Sequence, residues 1–282
     1  MTNTELNLDE INFIIDHALN EDVKNGDITT NTLIPGDKEV KAYMMAKADG
    51  VVAGLAVAER IFKKLNSEIN FKALVNEGDR VTSQTRIVEI EGSYRAILTG
   101  ERLALNFLQR MSGIATKTSE FVDAVKEYKT EILDTRKTVP GLRTLDKYSV
   151  KMGGGTNHRI GLYDMVMIKD NHIEVAGSIT EAVKQIRANV ASEIKIEVET
   201  KNLDEVKEAL EAGADIIMLD NMNNEQMTEA VKLIDGKAMV EASGSINMER
   251  VKEVAATGVD YISVGGLTHS VTALDIGMYI EV

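Results

Sequence analysis

From residue 131 onward the chain repeats one unit: a short apolar run, a polar turn, then a stretch of helical periodicity. The runs are "EILD" (131–134), "MVMI" (165–168), "IKIEV" (194–198), "IIML" (216–219), "AMVE" (238–241) and "YISV" (261–264). The helical stretches between most of them include "SITEAVKQIRANV", "NLDEVKEALEAG", "NNEQMTEAVKLI" and "NMERVKEVAATG". Asn202 and Asn223 precede two of these and Gly213 and Gly258 end two, the residue types that start and stop helices. Strand, helix, strand at this spacing requires parallel strands joined by crossover helices. So many units in succession favour a closed barrel over an open doubly wound sheet.

A polar or glycine-rich group follows every run. In order these are Asp134-Thr135-Arg136-Lys137, Lys169-Asp170, Glu199, Asp220, Glu241-Ala242-Ser243-Gly244 and Gly265-Gly266. In a parallel α/β barrel all such ends emerge on one face, where chemistry is placed. Arg136, His158 and Arg159 offer planar or forked donors suited to carboxylates, and Lys137 and Lys169 compact charges suited to phosphate oxygens. Glu199 and Asp220 follow adjacent strands and could bind sugar hydroxyls, a divalent ion or a developing cation. "EASGSIN" and "SVGGLTHS" set Gly and Ser after the last two strands, where barrels commonly bind phosphate. His172 and His269 read as packed or capping residues.

The first 110 residues have a different rhythm. "EINFIIDHAL" and "GLAVAERIFKKL" have helical spacing, while "EVKAYMMAKADGVVAG", "FKALVNEGDRV" and "TRIVEIEGSYRAIL" read as strands broken by turns. This is an α+β unit. Residues 100–128 then read as one or two amphipathic helices leading into the barrel.

Charge narrows the ligand. The chain carries −13, which argues against general nucleic-acid or anionic-membrane binding. Between Asp134 and His172, however, seven Lys or Arg stand against four Asp, a net +3, which leaves −16 elsewhere. A basic island in an acidic chain points to a small anion. There is no cysteine, so neither a disulfide nor a thiolate metal site can form. The acidic, amphipathic first residues are unlike a secretory signal, and no apolar run is long enough to cross a bilayer, so a cytoplasmic protein is expected.

The stretches "ERLALNFLQRMSGIAT", "DTRKTVPGLRTLDKYSVKMGGGTNHRIGLYDMVMIKDNHI", "EVET", "MLDN", "EASGSI" and "TGVDYISVGGLTHS" strongly resemble the quinolinate phosphoribosyltransferases, and "EDVKNGDITT" resembles that family's N-terminal signature. The resemblance runs from about residue 5 to the end. It implies an N-terminal α/β sandwich domain, 1–113, to which 268–282 is a candidate to return, joined to an incomplete parallel α/β (TIM-like) barrel, 114–267. It also implies a homodimer, or a larger assembly of dimers such as a hexamer, with active sites shared between subunits. The implied reaction joins quinolinate to phosphoribosyl pyrophosphate with Mg²⁺, releasing nicotinate mononucleotide, pyrophosphate and CO₂.

Carried over residue by residue, Arg136, His158, Arg159 and Lys169 would meet the quinolinate carboxylates, joined by Arg102 from the neighbouring subunit. Lys137 and Thr138 would serve the pyrophosphate side. Glu199 and Asp220 would hold the ribose hydroxyls and the metal, directly or through water. Ser243, Gly244, Ser245, Val264, Gly265 and Gly266 would hold the 5′-phosphate. The rivals are a molybdenum-transport-associated relative with another substrate, a Schiff-base aldolase using Lys169, and a barrel that senses a phosphorylated metabolite without turnover. The glycines of "KMGGGTNHR" (151–159) then serve to turn the backbone so that His158 and Arg159 reach the site.

Overall fold

A computed structural model describes residues 6–281 of the chain. The first elements are α1 (Leu8–Asp22), α2 (Ile28–Leu33), β1 (Glu39–Ala46), β2 (Gly50–Val51), α3 (Leu55–Leu65), β3 (Asn70–Ala73), β4 (Arg80–Val81), β5 (Arg86–Ser93) and α4 (Tyr94–Val125). There follow β6 (Glu131–Leu133), α5 (Arg143–Met152), β7 (Val166–Ile168), α6 (Asp170–Ala176), α7 (Ile179–Arg187), β8 (Ile196–Thr200) and α8 (Leu203–Glu211). The last are β9 (Ile216–Asp220), α9 (Asn224–Ile234), β10 (Met239–Ser243), α10 (Val251–Ala255), β11 (Tyr261–Ser263), α11 (Gly266–His269) and β12 (Ile276–Glu281). They pack as two compact units.

One unit comprises residues 6–119, Thr138–Gly154 and 268–281. Its four-stranded sheet has the order β12-β1-β5-β3 and is antiparallel throughout. Met44 and Ala46 of β1 are buried in alternation with half-buried neighbours, as a sheet covered on one face requires. They join a core with Ile11 and Ile15 of α1, Ile61 and Phe62 of α3, and Ile97 and Leu108 of α4. "SYRAIL" carries strand-prone residue types yet opens α4, because tertiary packing overrides propensity there. Gly100 inside that helix is required by close approach. A Cβ at this position would lie 2.9 Å from the Phe62 and Leu65 side chains.

The segment 138–154, which the sequence pattern groups with the barrel, packs in this first unit instead. The Asp146 carboxylate, 1% exposed, accepts two hydrogen bonds from the Arg110 guanidinium, at 3.1 and 2.8 Å, and one from the Val139 N–H. Gly153 comes so close to α4 that a Cβ would meet the Ala115 carbonyl at 2.3 Å.

The other unit comprises Glu120–Lys137 and Gly155–Leu267. Its six strands are all parallel, in the order β6-β11-β10-β9-β8-β7. The first and last strands of the series are paired, as in a closed barrel, while β6 and β7 are edges. The barrel is therefore incomplete, open between its first and second strands. Thr156 runs along β6 inside that gap, bridging in parallel to Leu133. The helix signals act as read. Asn202 and Asn223 accept N–H groups of Glu205 and Gln226, and Gly213 and Gly258 adopt φ of +82° and +92°. Among the described residues, no helix is long and apolar enough to cross a membrane.

Candidate active site

Parallel pairing gives partner residues the same facing, so the register fixes which side chains enter the barrel. Met167 pairs with Glu197, Glu199 with Met218, and Met218 with Glu241. One face of the sheet therefore carries Met167, Glu197, Glu199, Met218, Asp220, Glu241 and Ser243, with Lys169 two residues beyond Met167 on β7. Strands β8 and β10 extend further than the apolar runs imply. Glu199 is thus the fourth residue of β8, and Glu241 lies in the middle of β10 instead of at its end.

At the C-terminal rim, Lys169 is paired with Glu199, whose side chain is 12% exposed. Asp220, the last residue of β9, accepts a hydrogen bond from the Asn221 amide at 3.0 Å. The next loop is shaped by backbone strain. Gly244 has φ +93°, and a Cβ there would fall 2.2 Å from the Asn221 Oδ1. Ser245, at φ +53°, is one of the few non-glycine residues in the left-handed region, and Asn221, at +55°, is another. Arg250 secures the loop from behind, donating to the Gly244 and Met222 carbonyls. Val264 donates its N–H to the Leu133 carbonyl at 2.9 Å, which brings Val264-Gly265-Gly266 beside the end of β6.

The other side of the β6 end carries the cations. Arg136 is half-buried, and its buried Nε has no hydrogen-bond partner among the described residues. Arg159, 8% exposed, donates from Nη1 to the Met165 carbonyl at 3.1 Å and rests Nη2 on the Met167 sulfur at 3.6 Å. Burial lowers the Arg159 pKa, and the nearby Arg136 charge lowers it further. Two guanidiniums that feel each other's charge, one partly unsatisfied, are an arrangement that a dianion would stabilise. Lys137 is exposed, with its N–H on the Thr135 hydroxyl. Thr138 and Arg102 belong to the other compact unit. There the Thr138 hydroxyl accepts from Arg143, and Arg102 is exposed on α4.

His158 departs from the expectation that it meets a substrate carboxylate. It is 4% exposed and turned into the barrel, with Nε2 at 3.0 Å from Glu197 and 3.2 Å from Glu241. Its Nδ1 accepts the Arg159 backbone N–H at 2.8 Å. Nε2 thus faces two carboxylates and Nδ1 a backbone N–H, so neither ring nitrogen is left to meet a substrate anion. Burial disfavours charge on the ring, but Glu197 and Glu241 outweigh it and raise its affinity for a second proton. The Arg159 N–H already fills the place of that proton on Nδ1. We therefore assign it to the Glu197 carboxyl, which burial and the Glu241 charge push up to about 7.

Sequence reasoning gives no role to Glu197 or to the buried Asp134. Asp134 accepts the His158 N–H at 2.9 Å and the Asn157 amide at 2.7 Å, and so holds the segment that delivers Arg159. The period-two relation of Glu197 to Glu199 is the signal that places Glu197 inside. His172 caps α6, accepting the Lys169 N–H on Nδ1 at 2.9 Å, and His269 contacts the Ser270 hydroxyl at 2.7 Å. A cleft of about 480 Å³ shares Arg159 with the rim. It is otherwise lined largely by apolar residues of β7, α6 and α7 and includes none of Lys137, Glu199 and Asp220, so the rim is the better candidate site.

A parallel α/β barrel that sets a guanidinium pair, lysines and carboxylates around its C-terminal rim defines a barrel enzyme for polyanionic substrates. Comparison with known proteins makes this specific. Residues 27–112 match the model of the quinolinate phosphoribosyl transferase N-terminal domain, and residues 114–279 that of its C-terminal domain. The chain belongs to the quinolinate phosphoribosyl transferase family. It is 46% identical to a mitochondrial quinolinate phosphoribosyltransferase [decarboxylating] of Nicotiana glauca, over 94% of this chain and 80% of that one. It is also 46% identical to a probable nicotinate-nucleotide pyrophosphorylase [carboxylating] of a Synechocystis species, over 93% and 90%. The crystal structure of NadC from Streptococcus pyogenes superposes with a TM-score of 0.96 at 42% identity, covering 99% of each chain.

Proposed function

We propose that this protein transfers the phosphoribosyl group of phosphoribosyl pyrophosphate to quinolinate and decarboxylates the product, giving nicotinate mononucleotide, pyrophosphate and CO₂ for the synthesis of NAD. The observation that carries this reading is the neighbouring pair Arg136 and Arg159 with the unsatisfied Arg136 Nε, at the rim of the barrel that also bears Lys169. Two adjacent ring carboxylates supply the charge and the acceptors this set lacks. Arg136, Arg159 and Lys169 bind quinolinate, with Arg102 contributed by a partner subunit. Lys137 and Thr138 take the pyrophosphate, and the Ser243–Ser245 and Val264–Gly266 loops the 5′-phosphate.

Glu199 and Asp220 face the same mouth and hold the ribose hydroxyls. Cleavage of the bond to pyrophosphate builds positive charge on the sugar, which these carboxylates stabilise. They also offer the oxygen donors that Mg²⁺ prefers, directly or through water. When bound, Mg²⁺ would supply charge neutralisation for the leaving pyrophosphate. Quinolinate binding releases Lys169 from Glu199 to a substrate carboxylate, freeing Glu199 for the ribose. The cations around the ring then favour loss of the 2-carboxylate as CO₂ by stabilising the electron pair left at C2, which takes up a proton from water to give the product. Much of the catalysis is the alignment of two charged reactants. Two further parts of this reading are a homodimer with shared sites and a cytoplasmic location. The test is an assay of ¹⁴CO₂ from carboxyl-labelled quinolinate. Release must depend on phosphoribosyl pyrophosphate, and a purified, folded protein that releases none would refute the assignment.

A further inference from the structure

One layer beneath the rim lies a closed polar cluster that the reaction above does not use. Glu197 is two residues below Glu199 on β8, and Glu241 two residues below Ser243 on β10, both facing inward. Both side chains are fully buried. Two carboxylates in so dry a place cost several kcal/mol each unless paired, and an apolar pair of like volume would pack there more cheaply. Their partner is the His158 Nε2, which lies between them.

What the ring connects makes the cluster useful. Nε2 is fixed by two strands of the barrel wall. Nδ1 accepts the backbone N–H of Arg159, and the His158 N–H is held by Asp134 at the end of β6. The segment 155–159 crosses the open side of the barrel, where, among the described residues, strand pairing holds it only at the Thr156 bridge. The imidazole is therefore a strut from the wall to the one backbone position that carries Arg159.

We propose that Glu197 and Glu241 are positioning residues for quinolinate. By bracketing the His158 ring they fix the Arg159 backbone, and through it the guanidinium that meets the ring carboxylates. This rests on the reading of Arg159 as a quinolinate-binding group. The same three side chains bring ligand atoms within 4.8 Å of one another, as a metal site would. With Nδ1 accepting an N–H, however, the ring's proton sits on Nε2, and a metal there would need an imidazolate.

The test compares Glu241→Ala and Glu241→Gln with the parent protein. Misplacing a substrate-orienting group by about 1 Å can cost up to about 100-fold. Glu241→Ala is therefore expected to raise the KM and the calorimetric Kd for quinolinate at least about tenfold, with the KM for phosphoribosyl pyrophosphate within about twofold. Glu241→Gln keeps an acceptor for Nε2–H and should restore most of the affinity. Should Glu241→Ala fail to fold, Glu241→Leu fills the space and carries the same comparison. Unchanged quinolinate affinity in a folded variant, or equal loss for both substrates, would overturn the proposal. So would a stoichiometric metal ion in the purified parent that Glu241→Ala loses. A parent protein that does not bind quinolinate at all would instead overturn the reading of the site.

Discussion

Arg159 shows how far a single residue's role depends on its surroundings. Its type and its place in a basic island identify an anion site, and that much is legible in the sequence. Its guanidinium is then defined by a carbonyl, a sulfur and a second guanidinium, none of which the sequence places. A charge-assisted hydrogen bond is worth roughly 1.5–3 kcal/mol. Arg159→Ala should accordingly raise the KM for quinolinate by about 10- to 100-fold while moving that for phosphoribosyl pyrophosphate far less, as initial-rate kinetics would show. Gly244 makes the complementary case. Its φ of +93° is one that side-chain-bearing residues rarely adopt, and the Asn221 Oδ1, 2.2 Å from where a Cβ would stand, leaves no room for one. Gly244→Ala should deform the rim loop and weaken phosphoribosyl pyrophosphate binding, leaving quinolinate affinity, measured by calorimetry, near that of the parent. His158 marks the limit of residue type, which cannot tell an inward histidine from one at the mouth. Its ring direction is set by Glu197 and Glu241, 39 and 83 residues further along the chain.

At the scale of elements, the strands and helices of the barrel are legible because each carries its own signal: a short apolar run, an Asn cap, a closing Gly. Their ends are less so. β8 and β10 run on through "ET" and "AS" because neighbouring strands supply ladder partners for polar residues as readily as for apolar ones. Helix α5 sets Leu145, Tyr148 and Met152 against the core at helical spacing, but it buries Asp146 and Lys147 as well, so polarity alone does not mark its inner face. The Arg110–Asp146 pair explains why this segment lies where it does. Removing one member of a buried ion pair leaves the other uncompensated, at a cost of about 3–5 kcal/mol. The Arg110 side chain is 26% exposed, so Asp146→Ala should lower the unfolding free energy by at most about that amount in urea titration, and Asp146→Asn by less. A drop within about 0.5 kcal/mol would mean that solvent already screens the pair.

For the whole molecule, the active site proposed here needs Arg102 from a second subunit. Arg102→Ala and Lys169→Ala, each inactive alone, should recover activity when unfolded together and refolded as mixed dimers. A verified heterodimer without activity would contradict the shared site. One of the two compact units also takes in the last strand of the chain. β12 pairs with β1 across more than 200 residues of sequence, Ala46 facing Ile276 and Lys41 facing Glu281. The parallel βα series and the basic island are legible in the chain alone, because periodicity, capping and charge are local properties. The tertiary structure alone decided that the barrel stays open between β6 and β7 and that His158 turns inward. It also decided that Glu197 and Glu241 meet across the His158 ring. Those facts depend on strand register and on contacts between distant residues, where a side chain's neighbours and not its type set what it can do.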